Sequence, residues 1–475
     1  MTDAVVVGAG PNGLGAAVAL AKEGIQVTVL EAEQRIGGGT KTSELTVPGV
    51  LHDECSAIHP AGAASPFFNS LGLAEFGLNW RWPDIDCAHP LDDGTAGAQY
   101  RSIERTAEAL GGRDARVWRA LFASTVRGMD KLAPELLAPV LRVPKHPLLL
   151  ARFGAPGLPP ATLTGRLFGT ERARGLFAGN VAHAFYPFNQ LLTATLGMGI
   201  ITMGHRYGWP VAEGGSRAIT DALAGLLTSL GGKIETGVRV RSLAELPAAE
   251  ITMLDLAPRA VAELAGDRLP AKVRRAYLRY RHGPAAFKVD YAVADGVPWT
   301  AEEPRSAGTV HVGGTMAEIA AAEADCARGI MPERPFVLVG QQYLADPGRS
   351  GRVDGQDVHP VYAYAHVPHG YSGDATAAIT AQIERFAPGF AERIVASVSR
   401  SPAQLQQHNT NYLGGDIIGG LNNQLQLLAR PRLTLDPYRT GIPGVYICSQ
   451  STPPGAAVHG MCGYHAAQSA LRSRR

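Results

Sequence analysis

Apolar residues in this chain come as short dense runs closed by glycine. Ala4 to Val7 is unbroken and Val-rich, the pattern of a strand buried on both faces. Leu14 to Glu23 is Ala-rich and predicts a helix, stopped by Gly24, and Ile25 to Leu30 predicts a second strand. The pattern recurs downstream. Arg217 to Leu230 has helical periodicity and ends at Gly231-Gly232, and Lys233 to Val240 alternates like a strand. Gly444 to Cys448 reads as a buried strand, followed after a Gly/Pro turn by a helix from Cys462 to Leu471.

Between these units lie two long stretches of different character. In the first, Arg113 to Ala133 and Glu135 to Val143 carry spaced Leu, Trp and Val and predict helices, with Pro144 to Pro160 as a connector. In the second, Ala285 to Val293, Pro335 to Val339 and Val361 to Val367 predict strands, and Asp374 to Phe386 a helix. The fold class is therefore α/β. A Rossmann-type domain is built from separated segments, 1–66, 206–261 and 406–475, and an α+β domain is formed by 67–205 and 262–405. At 475 residues the chain has room for that arrangement.

Composition narrows the function. Lys+Arg 44 against Asp+Glu 42 gives a net charge of +2, which argues against a nucleic-acid binder. The five cysteines are scattered without a CxxC, which disfavours a disulfide scaffold, a zinc ribbon and a dithiol redox enzyme, and points to a reducing, cytoplasmic setting. No ligand cluster suggests a metal. No signal peptide precedes the first strand, and the longest apolar stretch, Leu191 to Met203, is too short to span a bilayer and holds three threonines.

The chemistry begins at Gly8-Ala9-Gly10-Pro11-Asn12-Gly13, a GxGxxG between strand and helix. Gly8 permits the tight turn, Gly10 admits a pyrophosphate against the backbone, and Gly13 lets helix and strand pack closely. The helix start, from Pro11 and Asn12, offers N–H groups and partial positive charge to phosphate. Glu31 follows Gly10 by 21 residues, at the end of the second strand, with Ala32 behind it. A carboxylate there accepts from both ribose hydroxyls and repels a 2′-phosphate, so the nucleotide is FAD or NAD. Arg35-Ile36-Gly37-Gly38-Gly39-Thr40 can wrap the pyrophosphate from the far side, with Arg35 and Thr40 available to its oxygens.

With the acid and the glycine run, this fingerprint resembles that of the amine oxidase and phytoene desaturase superfamily. Gly39-Thr40 stand where many relatives carry a second Arg. The resemblance extends to Val211-Ala212-Glu213-Gly214-Gly215-Ser216 and to the terminal Pro454-Gly455 to Gly463. It runs through His59-Pro60, Gly208-Trp209-Pro210, Phe287-Lys288-Val289-Asp290, His311-Val312-Gly313-Gly314, His366-Val367-Pro368 and Gly414-Gly415-Asp416-Ile417. The chain looks like a phytoene desaturase-like flavoprotein, of the branch that includes pyridine nucleotide-disulfide oxidoreductase domain-containing protein 2.

The resemblance implies FAD as cofactor. It places Val238 and Arg239 towards the adenine, and Gly455, Val458, His459, Gly460 and Met461 at the flavin edge that gains charge on reduction. It implies an oxidoreductase, a desaturase or oxidase that takes hydride from a C–H bond of a hydrophobic, isoprenoid or polyene-like substrate. Two other readings stay open: a reduced-flavin double-bond isomerase of the carotenoid isomerase type, and a non-catalytic flavoprotein that binds a partner. With one GxGxxG in the chain, dioxygen or a quinone is the expected electron acceptor. His459 and His59 are the candidate proton carriers, each with a bland alternative as a loop or structural histidine. Trp209 is either a ring neighbour of the cofactor or plain core, and Lys288 with Asp290 reads as an ion pair between domains. Lys272 to Arg281, with five basic residues and two tyrosines, reads first as a solvated face and second as a peripheral membrane contact. Substrate identity and oligomeric state are left open.

Overall fold

The structure, a computed structural model, describes residues 3–474. Its first sheet has five parallel strands in the order Val445–Ile447, Ile251–Leu254, Ala4–Val7, Val27–Leu30, Lys233–Glu235. Strands distant in sequence thus meet side by side, and the register sets Ala4 against both Val27 and Ile251. Alternation explains why these strands are apolar throughout. Ala4, Val6, Val27, Val29, Ile251 and Met253 pack against Leu14, Ile219, Leu223 and Ala466 of the helices Pro11–Ala21, Arg217–Ser229 and Met461–Arg474. Val5, Val7, Leu254 and Ile447 face the other way, onto Val261, Val273 and Tyr277 of the helices Pro258–Ala265 and Ala271–Leu278. The result is a three-layer parallel sheet of Rossmann type, covered on both faces.

The second sheet has eight strands. Its spine runs Ile394–Arg400, Ala285–Ala294, Gln356–Val367, Val337–Gly340, Ala307–Val312, Ile85–Pro90, Ala96–Gln99. One face carries Phe287, Val289, Val310, Val339, Val361 and Ala363, packed on Ile379 and Ile383 of the helix Thr376–Phe386. The other carries Thr309, His311, Leu338, Tyr362, Tyr364 and His366. A helical layer lies beside that second face, including Gly112–Arg127, Glu171–Ala182 and Thr193–Tyr207.

Several expected elements differ. The helix expected over 135–143 stops at Leu136. There the Glu135 carboxylate turns back to accept from the backbone N–H groups of Lys145 (2.8 Å) and His146 (3.0 Å), and Pro139 and Pro144 forbid continuation. The expected connector 144–160 holds a helix, Pro147–Gly157, because Pro147 falls at its first turn, where proline is favourable. The strand expected over 233–240 ends at Glu235. The first long stretch also supplies two strands, Ile85–Pro90 and Ala96–Gln99, whose buried Asp86, His89 and Gln99 mask the apolar alternation. In the stretch Lys272–Arg281, Tyr277 is fully buried and Tyr280 points inward, donating to Gly419 O at 3.0 Å. The tyrosines are thus unavailable to a membrane, and the segment presents a basic helix face.

Candidate functional site

The carboxyl ends of the parallel strands open into a cavity of about 770 Å³. Three distant segments reach it. Gly8, Gly10, Pro11, Asn12, Glu31, Ala32, Gly38, Gly39 and Thr40 line it from the N-terminal segment. Val238 and Arg239 line it from the second, and Ser449, Gln450, Pro454, Val458 and His459 from the last. Gly13, Gly37, Gly455, Gly460 and Met461 sit behind this wall and shape it. A Cβ on Gly13 would fall 2.0 Å from Gly8 O, so the helix can approach the strand only with glycine there. Arg35 is the exception among the expected site residues. It lies outside the cavity wall and pairs with Glu54 at 2.6 Å, because that buried carboxylate offers a stronger partner than the open loop.

Glu31 is held in place by two backbone N–H groups. Its Oε2 accepts from Ala9 N at 2.8 Å and its Oε1 from Glu33 N at 3.0 Å. A second carboxylate, Asp255, follows the strand Ile251–Leu254 and accepts from Gly13 N at 2.9 Å. Burial holds its carboxyl up at about 7, the Gly13 N–H opposes this, and Glu31 adds to it. Residues of the segment 408–412 close the same end; Asn411 Nδ2 donates to Asp255 O at 3.0 Å.

Both candidate histidines line the cavity and both are buried. His59 Nε2 lies 2.8 Å from Ser216 Oγ, which itself donates to Ser56 O at 2.6 Å. The hydroxyl proton is therefore already engaged, and His59 must donate from Nε2. His459 Nδ1 accepts from Met461 N at 3.0 Å, and its Nε2 has no partner among the described residues. Burial depresses both imidazoles to about 4, so both are neutral near pH 7. Lys288 and Asp290 pair with each other along their strand, and Asp290 also meets His52 of the strand Leu51–Asp53 at 3.6 Å.

Away from the glycine turns the cavity becomes apolar and aromatic. Leu150, Phe153, Leu196, Ile200 and Met203 line it with Phe185, Tyr362 and Tyr364. Here stand His183 and Arg430, which the sequence reading missed, together with Trp209 and His311. His183, at the end of the helix Glu171–Ala182, lines the cavity and shares a contact of 3.0 Å between its Nε2 and that of His311. Trp209 meets both rings, at centroid distances of 5.7 Å and 5.9 Å. Arg430 lines the wall beside Gly455, donating to Asn422 Oδ1 at 2.7 Å and Gln426 O at 3.2 Å, with no carboxylate against it among the described residues.

These features fit a dinucleotide. A Cβ on Gly10 would meet Asp255 Oδ2 at 2.9 Å and one on Gly38 would meet Gly10 Cα at 3.1 Å, so the two turns lie back to back with their backbones bared. Asn12 Oδ1, Ser449 Oγ, His408 Nε2 and His459 Nε2 are buried, belong to lining residues and lack partners, as expected of a wall that meets a polar ligand.

Residues 6–71 match the family model of an NAD(P)-binding Rossmann-like domain. The whole chain is similar to pyridine nucleotide-disulfide oxidoreductase domain-containing protein 2 of Rattus norvegicus, at 24% identity over 99% of this chain and 93% of that one. A shorter stretch is similar to a limonene dehydrogenase subunit of Castellaniella defragrans, at 30% identity over 25% of this chain and 22% of that one. Among solved structures, putrescine oxidase aligns over 99% of this chain and 98% of its own, with a TM-score of 0.60 and 17% identity. A fatty acid isomerase from P. acnes aligns over 99% and 98%, with a TM-score of 0.56 and 13% identity. The chain therefore has the mixed α/β fold of the amine oxidases, with a Rossmann-like dinucleotide domain at its start.

Proposed function

We propose that the chain binds FAD in this cavity and oxidises a C–H bond of a hydrophobic, isoprenoid or polyene-like substrate, passing electrons on to dioxygen or a quinone. The observation that carries this reading is the cavity's two-part wall: bared glycine turns with a strand-end acid in one half, and an aromatic and aliphatic lining in the other. FAD, when bound, supplies two-electron acceptance of hydride from carbon. The protein's part is to hold the ribose on Glu31, keep water from the apolar half, and orient the substrate between Tyr364, Phe185 and the helix Thr193–Tyr207. His59, His459 and the His183–His311 pair are neutral imidazoles on or behind that wall, so each can take or relay the proton that accompanies hydride loss.

The likeness to the limonene dehydrogenase of Castellaniella defragrans supports an isoprenoid class of substrate. The isomerase reading draws support from the solved fatty acid isomerase. An absorbance spectrum of the purified protein, with chromatography of the released cofactor, tests the first half. Anaerobic mixing with extracted apolar lipids tests the second. Bleaching of the flavin band supports oxidation, turnover without bleaching supports isomerisation, and a protein that neither binds nor regains FAD ends both.

Among the described residues no helix is long and apolar enough to cross a membrane. The cavity mouth is nonetheless rimmed by apolar side chains open to solvent. Val140, Leu158 and Leu428 both line the cavity and stand exposed. Among the described residues, twelve of the eighteen exposed large hydrophobics fall in 140–167, at Leu191 or in 425–435. This collar, rather than the basic helix at 271–278, is the proposed contact with a lipid surface from which an apolar substrate enters.

A further inference from the structure

Lys41 is a largely buried side chain whose ammonium has no charge partner among the described residues. It precedes the strand Thr42–Glu44, is 7% exposed, and makes neither an ion pair nor a side-chain hydrogen bond among the described residues. The other deeply buried cations are provided for. Lys288 has Asp290, Arg349 has Asp53 and Asp346, and Arg430 has two neutral acceptors. Glu54 stands opposite Lys41, with Glu54 N donating to Lys41 O at 2.8 Å, but its carboxylate is already shared by Arg35 (2.6 Å), Ser43 and Arg400 (3.1 Å). Lys41 lines the cavity, and its ammonium, unpartnered by the protein among the described residues, is open to an anion that fills that space.

Its position says which part of the ligand that is. Lys41 Cγ lies 3.3 Å from where a Cβ of Gly37 would be, and Gly38 backs onto Gly10. The lysine therefore stands beside the paired glycine turns. The helix Pro11–Ala21 cannot supply the needed charge in full, because Gly13 N is already taken by Asp255 Oδ2 at 2.9 Å. Glu31 and Asp255 also make this end of the cavity acidic. His408 lines the same end with an unpartnered Nε2.

We propose that Lys41 is the charge partner of a diphosphate bound at the Gly10–Gly38 turns, with His408 beside it. This rests on the dinucleotide reading above. The test is calorimetric titration of the full chain, stripped of nucleotide, with FAD, ADP and adenosine. Lys41→Met should weaken FAD and ADP by about 10- to 100-fold, leave adenosine unchanged, and lower the salt dependence of ADP binding. Lys41→Arg should retain most of the affinity. Without ligand, Lys41→Met should melt no lower than the wild type, since the ammonium makes no bond to the described protein. Equal binding of ADP by wild type and Lys41→Met overturns the proposal, as does equal loss of adenosine. A wild type that binds ADP but not FAD refutes the FAD reading and leaves the lysine's role standing or falling on the ADP result. A wild type that binds neither overturns both.

Discussion

Arg430 brings a charge to the cavity wall that no carboxylate cancels, and its neutral partners Asn422 and Gln426 fix its direction without quenching it. A group that becomes more negative in that cavity is stabilised by it. On the FAD reading, Arg430→Gln should lower the two-electron midpoint potential by about 30 mV for each tenfold loss of preference for the reduced form. A dye-coupled redox titration of the loaded variant decides this; an unchanged or raised potential contradicts it. His205 sets a pH limit in the same way, remote from the cavity. Its Nε2 accepts from Trp118 Nε1 at 2.9 Å, so the ring must be neutral, and burial depresses it to about 4. The unfolded chain takes up that proton near pH 6.5 while the native one refuses it. Stability is thus complete above pH 6.5 and is lost as pH falls towards 4, by about 3 kcal/mol for this one group. Urea unfolding across that window should show the loss summed over the buried histidines, and His205→Gln should reduce it by about 3 kcal/mol, His59 and His459 keeping the rest. Residues of this kind are illegible in sequence for one reason. Glu31 announces itself by following a strand near a glycine motif, whereas Asp255 matters only because the fold lands it on Gly13, 242 residues away.

The helix Glu171–Ala182 carries Gly175 and Gly179 on one face, with His183 one turn further on. The glycines leave room for two imidazoles from neighbouring strands. A Cβ on Gly175 would fall 2.3 Å from His89 Cδ2, and one on Gly179 would fall 2.5 Å from His311 Nδ1. The element thus positions His311 against His183. Gly179→Ala should force His311 aside, cost about 1–3 kcal/mol through overpacking despite alanine's better helix propensity, and separate the two rings. Unfolding curves measure the first effect, and histidine ring nitrogen spectra the second. A variant as stable as the wild type with an undisturbed His311 signal refutes the packing argument. Element by element, period and punctuation carried the sequence far. The strand–glycine–helix units at 4–30 and 444–474 stand where the pattern placed them, because strands buried on both faces are apolar without interruption. Where polar residues are buried inside a strand, as at Asp86 and His89, the alternation that marks a strand vanishes. Proline misled at 144–160, since its meaning as a breaker or a helix starter depends on where the helix begins.

At the scale of the whole molecule, the distribution of charge and apolar surface has a direction. Between Glu135 and Glu171 the chain has no Asp or Glu, but it has Lys145, Arg152 and Arg166, besides Arg142, which pairs with Glu135. Between Asp416 and Asp436 there is again no acid, and Arg432 is present, while Arg430 is buried on the cavity wall. Both segments line the cavity and both are tied to residues 191–192: Leu192 N donates to Leu158 O at 3.0 Å, and Gln424 Nε2 to Leu191 O at 3.3 Å. They also bear the collar, where Leu148 is 87% and Leu433 78% exposed. Each such leucine gains roughly 1–2 kcal/mol on entering an apolar phase, and acid-free basic flanks favour anionic headgroups. The wild type should therefore float with phosphatidylcholine vesicles that contain phosphatidylglycerol, and less well at high salt. The double substitution Leu148→Glu with Leu433→Glu should abolish flotation at an unchanged melting temperature, because neither side chain is part of the core. Flotation that survives the substitution would place the contact elsewhere, with the basic helix Ala271–Leu278 as the next candidate. If instead the same substitution splits a dimer while the wild type ignores vesicles, the collar is an interface between two copies and the substrate reaches the cavity from water. Sequence periodicity could not have located this surface, since exposed leucines in a Pro-rich stretch look like core until the fold shows that nothing covers them.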